Sequence, residues 1–159
     1  MLWSARPAAI ALGSNLGDRT AHLAFAVDRL HHLLTDLKVS PFIETAPEGV
    51  APQPAFLNAA ASGWTEAEPR ALLASLLAIE QARHRERPYR GAPRTLDLDL
   101  ILLGDCVVEE RDLQLPHPRF RDRLFVLEPL TAIAPDLIDP VSGLSVAQLA
   151  EKARGRSGR

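Results

Sequence analysis

Thr95 to Leu103 reads TLDLDLILL, and this stretch constrains the fold more tightly than any other in the 159-residue chain. Leu96, Leu98 and Leu100 alternate with Asp97 and Asp99 before the run turns wholly apolar. Strict alternation marks a β-strand with one face in a core. The leucines take the core face of an antiparallel strand, and both acids project from the opposite one.

The rest of the chain alternates strand and helix patterns around that strand. Ala8 to Leu12 is a short apolar run stopped by Gly13, which reads as a buried strand. Asp18 can cap a helix whose stripe is Leu23, Val27, Leu30 and Leu34, at helical spacing. Lys38 to Thr45 is strand-like, with Pro41 demanding an edge position or a bulge. Ala46 to Ala55 holds four prolines or glycines and reads as a stiffened loop. Phe56 to Thr65 is a further strand. Pro69 suits the first turn of a helix that continues through Leu72, Leu73, Leu76, Leu77 and Glu80. An arginine-rich irregular loop from Arg83 to Arg94 then leads into Thr95–Leu103. The order β-α-β-β-α-β predicts an α+β, ferredoxin-like sandwich: a mostly antiparallel sheet with two helices on one face. A weak strand near Cys106–Val108, a loop through Pro116 and helices near 124–133 and 146–152 are added after it. No linker or repeat interrupts the chain, so 1–159 reads as a single domain, with 153–159 a frayed basic tail.

Composition narrows the function. Lys and Arg total 18 against 20 Asp and Glu, a net charge of −2, whereas bulk nucleic-acid binding wants a clear positive excess. The single Cys106 excludes an intrachain disulfide and a cysteine zinc site. No apolar run is long enough for a signal peptide or a membrane helix. The expected setting is the cytoplasm, with no membrane and no nucleic acid as partner.

The strongest chemical signal is the pair of acids. Residues two apart on a strand share a face, with Cα atoms roughly 6.6 Å apart. Two such carboxylates can hold a hard cation such as Mg²⁺; equally, they can be the solvated side of the strand. The loop before them carries Arg83, Arg85, Arg87, Arg90 and Arg94. Guanidinium forks match phosphate oxygens, although any one of these arginines can simply be a surface charge. Arginines beside a cation site suit phosphoryl transfer, in which positive groups take up developing charge.

Other groups are less specific. Gly13-Ser14-Asn15-Leu16-Gly17-Asp18 follows a strand but lacks the Lys-Ser/Thr ending of a P-loop and fails the dinucleotide fingerprint, so it reads as a strand-to-helix turn. Phe56 and Asn58 share a strand face, where a ring and an amide can stack a flat heterocycle and read its edge; a core aromatic and a turn amide is the plain alternative. Pro116-His117-Pro118 with Arg121, Arg123 and Phe125 forms another such group, or a proline-stiffened surface loop. His22, His31 and His32 fall on the first helix at surface or edge positions.

Taken in order, Leu12-Gly13-Ser14-Asn15-Leu16-Gly17, Phe56-Leu57-Asn58-Ala59-Ala60, Ile79-Glu80, Pro93-Arg94-Thr95-Leu96-Asp97-Leu98-Asp99 and Pro116-His117 resemble the 6-hydroxymethyl-7,8-dihydropterin pyrophosphokinases of folate biosynthesis. The resemblance runs from about Ala8 to Leu137. It implies transfer of pyrophosphate from ATP, the co-substrate, to the pterin hydroxymethyl oxygen, with release of AMP, by a monomer. It implies that Asp97 and Asp99 hold two Mg²⁺ ions. It places Phe56 and Phe125 on either side of the pterin ring, Asn58 on its edge, and Thr45, Ala46 and Glu48 in the adjoining contacts. Glu80, Arg85, Arg94, His117 and Arg123 match nucleotide-side positions, and Arg83, Arg85 and Arg94 the catalytic arginines. The chain departs from the family pattern at Gly91, where a Trp is frequent and Tyr89 or Arg90 stands nearby, and at Ala46 and Pro118.

Two other classes make different demands. A polymerase-β-type nucleotidyltransferase places its Gly-Ser shortly before its acids, whereas here most of the domain separates Ser14 from Asp97. An RNA-binding module of the same β-α-β-β-α-β plan needs aromatics on its central strands, and Thr95–Leu103 carries acids there instead.

Overall fold

The computed structural model describes residues 4–46, 54–83 and 94–157. The first strand, β1 (Arg6–Ser14), is central because its side chains are small or apolar on both faces: Ala8, Ile10 and Leu12 on one, Ala9 and Ala11 on the other. It pairs antiparallel with β4 (Phe56–Thr65) and with β5 (Asp97–Leu103). The edge beyond β4 is shared by β2 (Thr35–Val39) and β3 (Ile43–Thr45), both antiparallel to it. Pro41 lies in the break between them, as its missing N–H requires. Across that break Ser40 donates its amide to Ala60 O at 2.9 Å and accepts the Ala60 amide on its hydroxyl at 2.8 Å. The strand order β2-β4-β1-β5 is that of a ferredoxin-like sheet.

Helices α1 (Arg19–Leu33) and α2 (Pro69–Ala82) belong to one face. Leu23, Ala26 and Leu30 of α1 and Leu72, Leu76 and Ile79 of α2 meet Ile10, Leu12, Leu98 and Leu100 in one core. Each such leucine, fully buried, contributes about 2 kcal/mol of apolar transfer energy. Asp18 caps α1 by accepting the Ala21 amide at 3.0 Å, and Pro69 opens α2.

The opposite face is covered as well. After a short pairing of β6 (Val108–Glu109) with β7 (Gln114–Leu115), a single 3₁₀ turn at Phe120–Asp122 leads into α3 (Leu124–Ile133), followed by α4 (Val146–Ser157). Phe120, Val126, Leu127, Leu130, Val146 and Leu149 pack there on Ala9, Ala60 and Ile101. The sheet is therefore sandwiched between two helical layers. The tail expectation is corrected: residues to Ser157 are helical, and Ala153 is buried. Val146, Leu149, Ala150 and Ala153 form a helical stripe that the basic composition of the tail obscured. No helix among the described residues is long and apolar enough to cross a membrane.

Candidate active site

The site gathers at one end of the sheet, on the face shared with α3. The acids are placed by strand periodicity. Leu98 and Leu100 enter the α1/α2 core, so Asp97 and Asp99 face the other way. In the ladder, Asp97 is opposite Gly13 and Asp99 opposite Ala11. On the other side of β1, the same two residues pair with Asn58 and Ala60. Cross-strand partners share a face, so Asn58, Gly13 and Asp97 form one row, with Ala60, Ala11 and Asp99 behind it. The small residues between the amide and the acids leave a shallow floor.

Gly13 is required there. A Cβ at this position would lie 2.9 Å from Asn58 Oδ1 and 3.6 Å from Phe56 Cδ1. The sequence predicts that the strand stops at Gly13; it continues to Ser14. Asn58 is buried and donates to Thr45 Oγ1 at 2.5 Å, which fixes its carboxamide. Thr45 pairs with Phe56 across the β3–β4 ladder. Thr45, Phe56 and Asn58 are thus brought together. Ala46 is exposed at the end of this group. Glu48 lies outside the described residues.

Opposite stand the basic groups. Arg94 donates to Asp97 Oδ2 at 2.9 Å. Arg123 caps α3 and lies 5.5 Å from the centroid of Phe125, in the first turn of that helix. Phe125 packs against the cluster that includes Ala60. His117 is half-buried; its amide donates to Ile101 O at 2.9 Å, and its Nδ1 accepts the Arg119 amide at 3.2 Å. Burial and the Arg123 charge lower the His117 pKa, against the opposing pull of Asp97, while Arg119 adds to the lowering. The lowering favours the neutral ring, and an accepting Nδ1 leaves the proton on Nε2.

Among the described residues, Asp97, Asp99 and Glu80 crowd their charges together. Burial pushes the Asp99 carboxyl up to about 7; Asp97 and then Glu80 add to the rise, and Arg123 and Arg94 oppose it. A divalent cation would relieve that repulsion. Among the described residues, no cluster of three or more His, Cys, Asp or Glu forms a closed metal cage. A two-carboxylate set fits Mg²⁺, which keeps waters and takes substrate phosphate oxygens as its other ligands.

Glu80 and Arg83 are engaged elsewhere. Glu80 is buried, and its Oε2 accepts the Leu98 amide at 2.7 Å. It ties α2 to β5 between the two acids. Arg83 closes α2, donates through Nε to His22 Nδ1 at 2.9 Å and covers the Phe25 ring at 4.8 Å. That bond uses only the Nε–H, so the Nη donors are not committed to His22. His22, read from sequence as a surface or edge residue, is half-buried, while His31 and His32 are exposed. Arg85, Arg87, Tyr89, Arg90 and Gly91 lie outside the described residues.

Sequence reasoning missed two anchors. Asn15 is fully buried; its Oδ1 accepts the Arg94 amide at 2.7 Å, and its own amide donates to Arg94 O at 3.0 Å. Arg19 donates to Ala55 O at 2.8 Å and to Glu44 Oε1 at 2.5 Å, bracing the strand ends that carry Phe56 and Thr45. Asn15 and Arg19 flank the Gly17-Asp18 turn, where only a backbone connection was expected.

Comparison with known proteins identifies the family of the chain. Residues 9–135 match the family model for 7,8-dihydro-6-hydroxymethylpterin-pyrophosphokinase (HPPK). The chain is 45% identical over 126 residues to a 2-amino-4-hydroxy-6-hydroxymethyldihydropteridine pyrophosphokinase of Bacillus subtilis, covering 78% of this chain and 75% of that protein. It is 39% identical over 144 residues to the folic acid synthesis protein fol1 of Pneumocystis carinii; the match covers 90% of this chain but spans only 20% of that much longer protein. Among solved structures, wild-type HPPK-DHPS of Plasmodium falciparum superposes with a TM-score of 0.75 at 15% identity, covering 97% of this chain and 46% of that one, a likeness of fold. On the family match and the bacterial relative, this chain belongs to the 7,8-dihydro-6-hydroxymethylpterin-pyrophosphokinase family.

Proposed function

We propose that this chain transfers pyrophosphate from ATP to the hydroxymethyl oxygen of 6-hydroxymethyl-7,8-dihydropterin, releasing AMP. The observation that carries the reading is the row Asn58–Gly13–Asp97, which sets an amide suited to a heterocycle edge across Gly13 from a carboxylate suited to a cation. Family membership supports the same chemistry.

In this reading, Asn58 reads the pterin edge while Phe56 and Phe125 enclose its ring, with Thr45, Ala46 and Glu48 alongside. Asp97 and Asp99 would hold Mg²⁺, two ions in this reading, which would supply positive charge to offset that of the phosphates. Arg94 exchanges part of its bond to Asp97 for phosphate oxygens. His117 and Arg123 meet the nucleotide from the α3 side, His117 as a neutral Nε2–H donor. Arg85 supplies transition-state charge, and Arg83 joins it through its Nη donors. Glu80 acts on the nucleotide side by fixing Leu98, and hence the spacing of the acids. Asp97 is the acceptor suggested for the hydroxyl proton, although a loose transition state asks little of a base. The enzyme is read as a monomer working in the cytoplasm, where ATP is supplied. Incubation with ATP, Mg²⁺ and the pterin, followed by chromatography of AMP and pterin pyrophosphate, tests the reading: equal amounts of both products support it, and their absence from a folded sample refutes it.

A further inference from the structure

Asn15 belongs to neither half of the site yet touches the backbone of both. Its carboxamide oxygen accepts the Arg94 amide at 2.7 Å, and its Nδ2 donates to Pro54 O at 3.4 Å. Its own amide donates to Arg94 O at 3.0 Å, closing a two-bond ring with that residue. Arg94 continues to Asp97 through its guanidinium, and Pro54 stands two residues before Phe56. The side chain is fully buried, so its own polar atoms depend on these two protein partners. An acceptor and a donor on one short planar group is a demand that Asn alone meets at this reach. Asp lacks the donor, and Gln is longer by a methylene. The two partners are 79 and 39 positions away in the chain, so no local turn requirement explains them.

We propose that Asn15 is a positioning residue for the transfer reaction, holding Arg94 at the acids and Pro54 at the pterin side in fixed relation. This rests on the pyrophosphokinase reading of the site. Asn15 touches no reacting atom; it acts through Arg94 and through the strand start at Phe56. Its loss therefore affects two kinetic parameters for two reasons. Misplaced Arg94 lowers kcat, because its charge is needed in the transition state. A loosened Pro54 raises the pterin KM, because Phe56 and Asn58 follow directly from it.

The test uses the full chain with Asn15→Ala and Asn15→Asp, the latter keeping an oxygen for the Arg94 amide but offering none of the donor capacity that Pro54 O accepts. Melting temperature without ligands, hydrogen exchange of the Arg94 amide, and kcat and KM for pterin and ATP are measured below the melting point of each variant. In Asn15→Ala, the Arg94 amide exchanges at least tenfold faster, kcat falls at least tenfold, and the pterin KM rises severalfold. In Asn15→Asp, Arg94 protection and most of kcat return while the raised pterin KM persists. Should Asn15→Ala fail to fold, Asn15→Asp decides through the same split. Wild-type kcat and KM in the folded variants, or equal losses of both parameters in step with melting temperature, overturn the proposal. If the wild-type chain itself makes no AMP, the functional reading fails separately. The Arg94 exchange rate then still decides, and an unchanged rate in Asn15→Ala overturns the positioning role.

Discussion

Asn58 and Asp97 are the two cross-strand partners of a single residue, Gly13 of the central strand. The amide proposed to read the pterin and the carboxylate proposed to hold a cation are thus set apart by one strand width on each side. A side chain at Gly13 would intrude between them, 2.9 Å from Asn58 Oδ1. Asn58 is held by Thr45 and is too short to swing clear. Gly13→Ala is expected to cost about 1–3 kcal/mol through overpacking and to raise the pterin KM roughly tenfold, as a displaced buried hydrogen bond does. Denaturant melts and steady-state kinetics check both; a pterin KM equal to wild type would remove Gly13 and Asn58 from the pterin floor.

Removing either acid should separate activity from folding. Asp97→Ala and Asp99→Ala are expected to abolish turnover, because cation binding is local to them. Asp99 is held in a disfavoured state by burial and by Asp97 and Glu80, so its loss leaves the metal-free fold intact or stabilises it. Circular dichroism melts in EDTA, paired with AMP release in Mg²⁺, measure the two effects. Full activity in both variants would rule out the cation role.

Glu80 offers a test that tells an internal anchor from a ligand. Its carboxylate accepts the Leu98 amide inside the core. Glu80→Ala leaves that N–H buried and unmet, at about 2–3 kcal/mol. The loss should appear in melts without nucleotide, and Glu80→Gln, which keeps an acceptor, should lose less. A variant of unchanged stability with only ATP affinity reduced would make Glu80 a direct nucleotide contact.

One acid-sensitive contribution to stability lies between α3 and α4, at Asp139. Burial alone would raise the Asp139 carboxyl, but Arg121, the Ser142 hydroxyl and the Val141 amide outweigh it and hold it down at about 2. A carboxyl depressed below its unfolded value near 3.8 stabilises the fold fully above that pH. The contribution fades as pH falls from there through the folded value. Asp139→Asn is therefore expected to lose about 2 kcal/mol at pH 7 and progressively less below pH 4, as two pKa units imply. Urea melts across pH 3 to 7 would show the difference closing; a pH-independent deficit would contradict this account.

Much of this was legible in the residues. Alternation placed Leu98 and Leu100 inward and both acids outward, Pro69 marked the start of α2, and the pattern around Leu124–Ile133 gave α3 its bounds. What stayed hidden depends on distant partners. Gly13 and Asn15 look like any strand-to-helix turn until Asn58, Pro54 and Arg94 are brought against them from other parts of the chain. Glu80 extends an apolar stripe, and nothing local says that a carboxylate there caps a neighbouring strand rather than facing solvent. Arg83 reads as one more loop arginine because its partner, His22, is 61 positions away. The small residues Ala11, Gly13 and Ala60 were the one overlooked local signal: strand interiors rarely give up bulky side chains unless something else must fit.

The most direct measurement is the product balance of the purified chain with ATP, Mg²⁺ and 6-hydroxymethyl-7,8-dihydropterin. AMP and pterin pyrophosphate in equal amounts, both lost on adding EDTA, is the predicted result. ADP in place of AMP, or no pterin product from a folded chain that binds ATP, would contradict the assignment of pyrophosphate transfer to the Asn58–Gly13–Asp97 site.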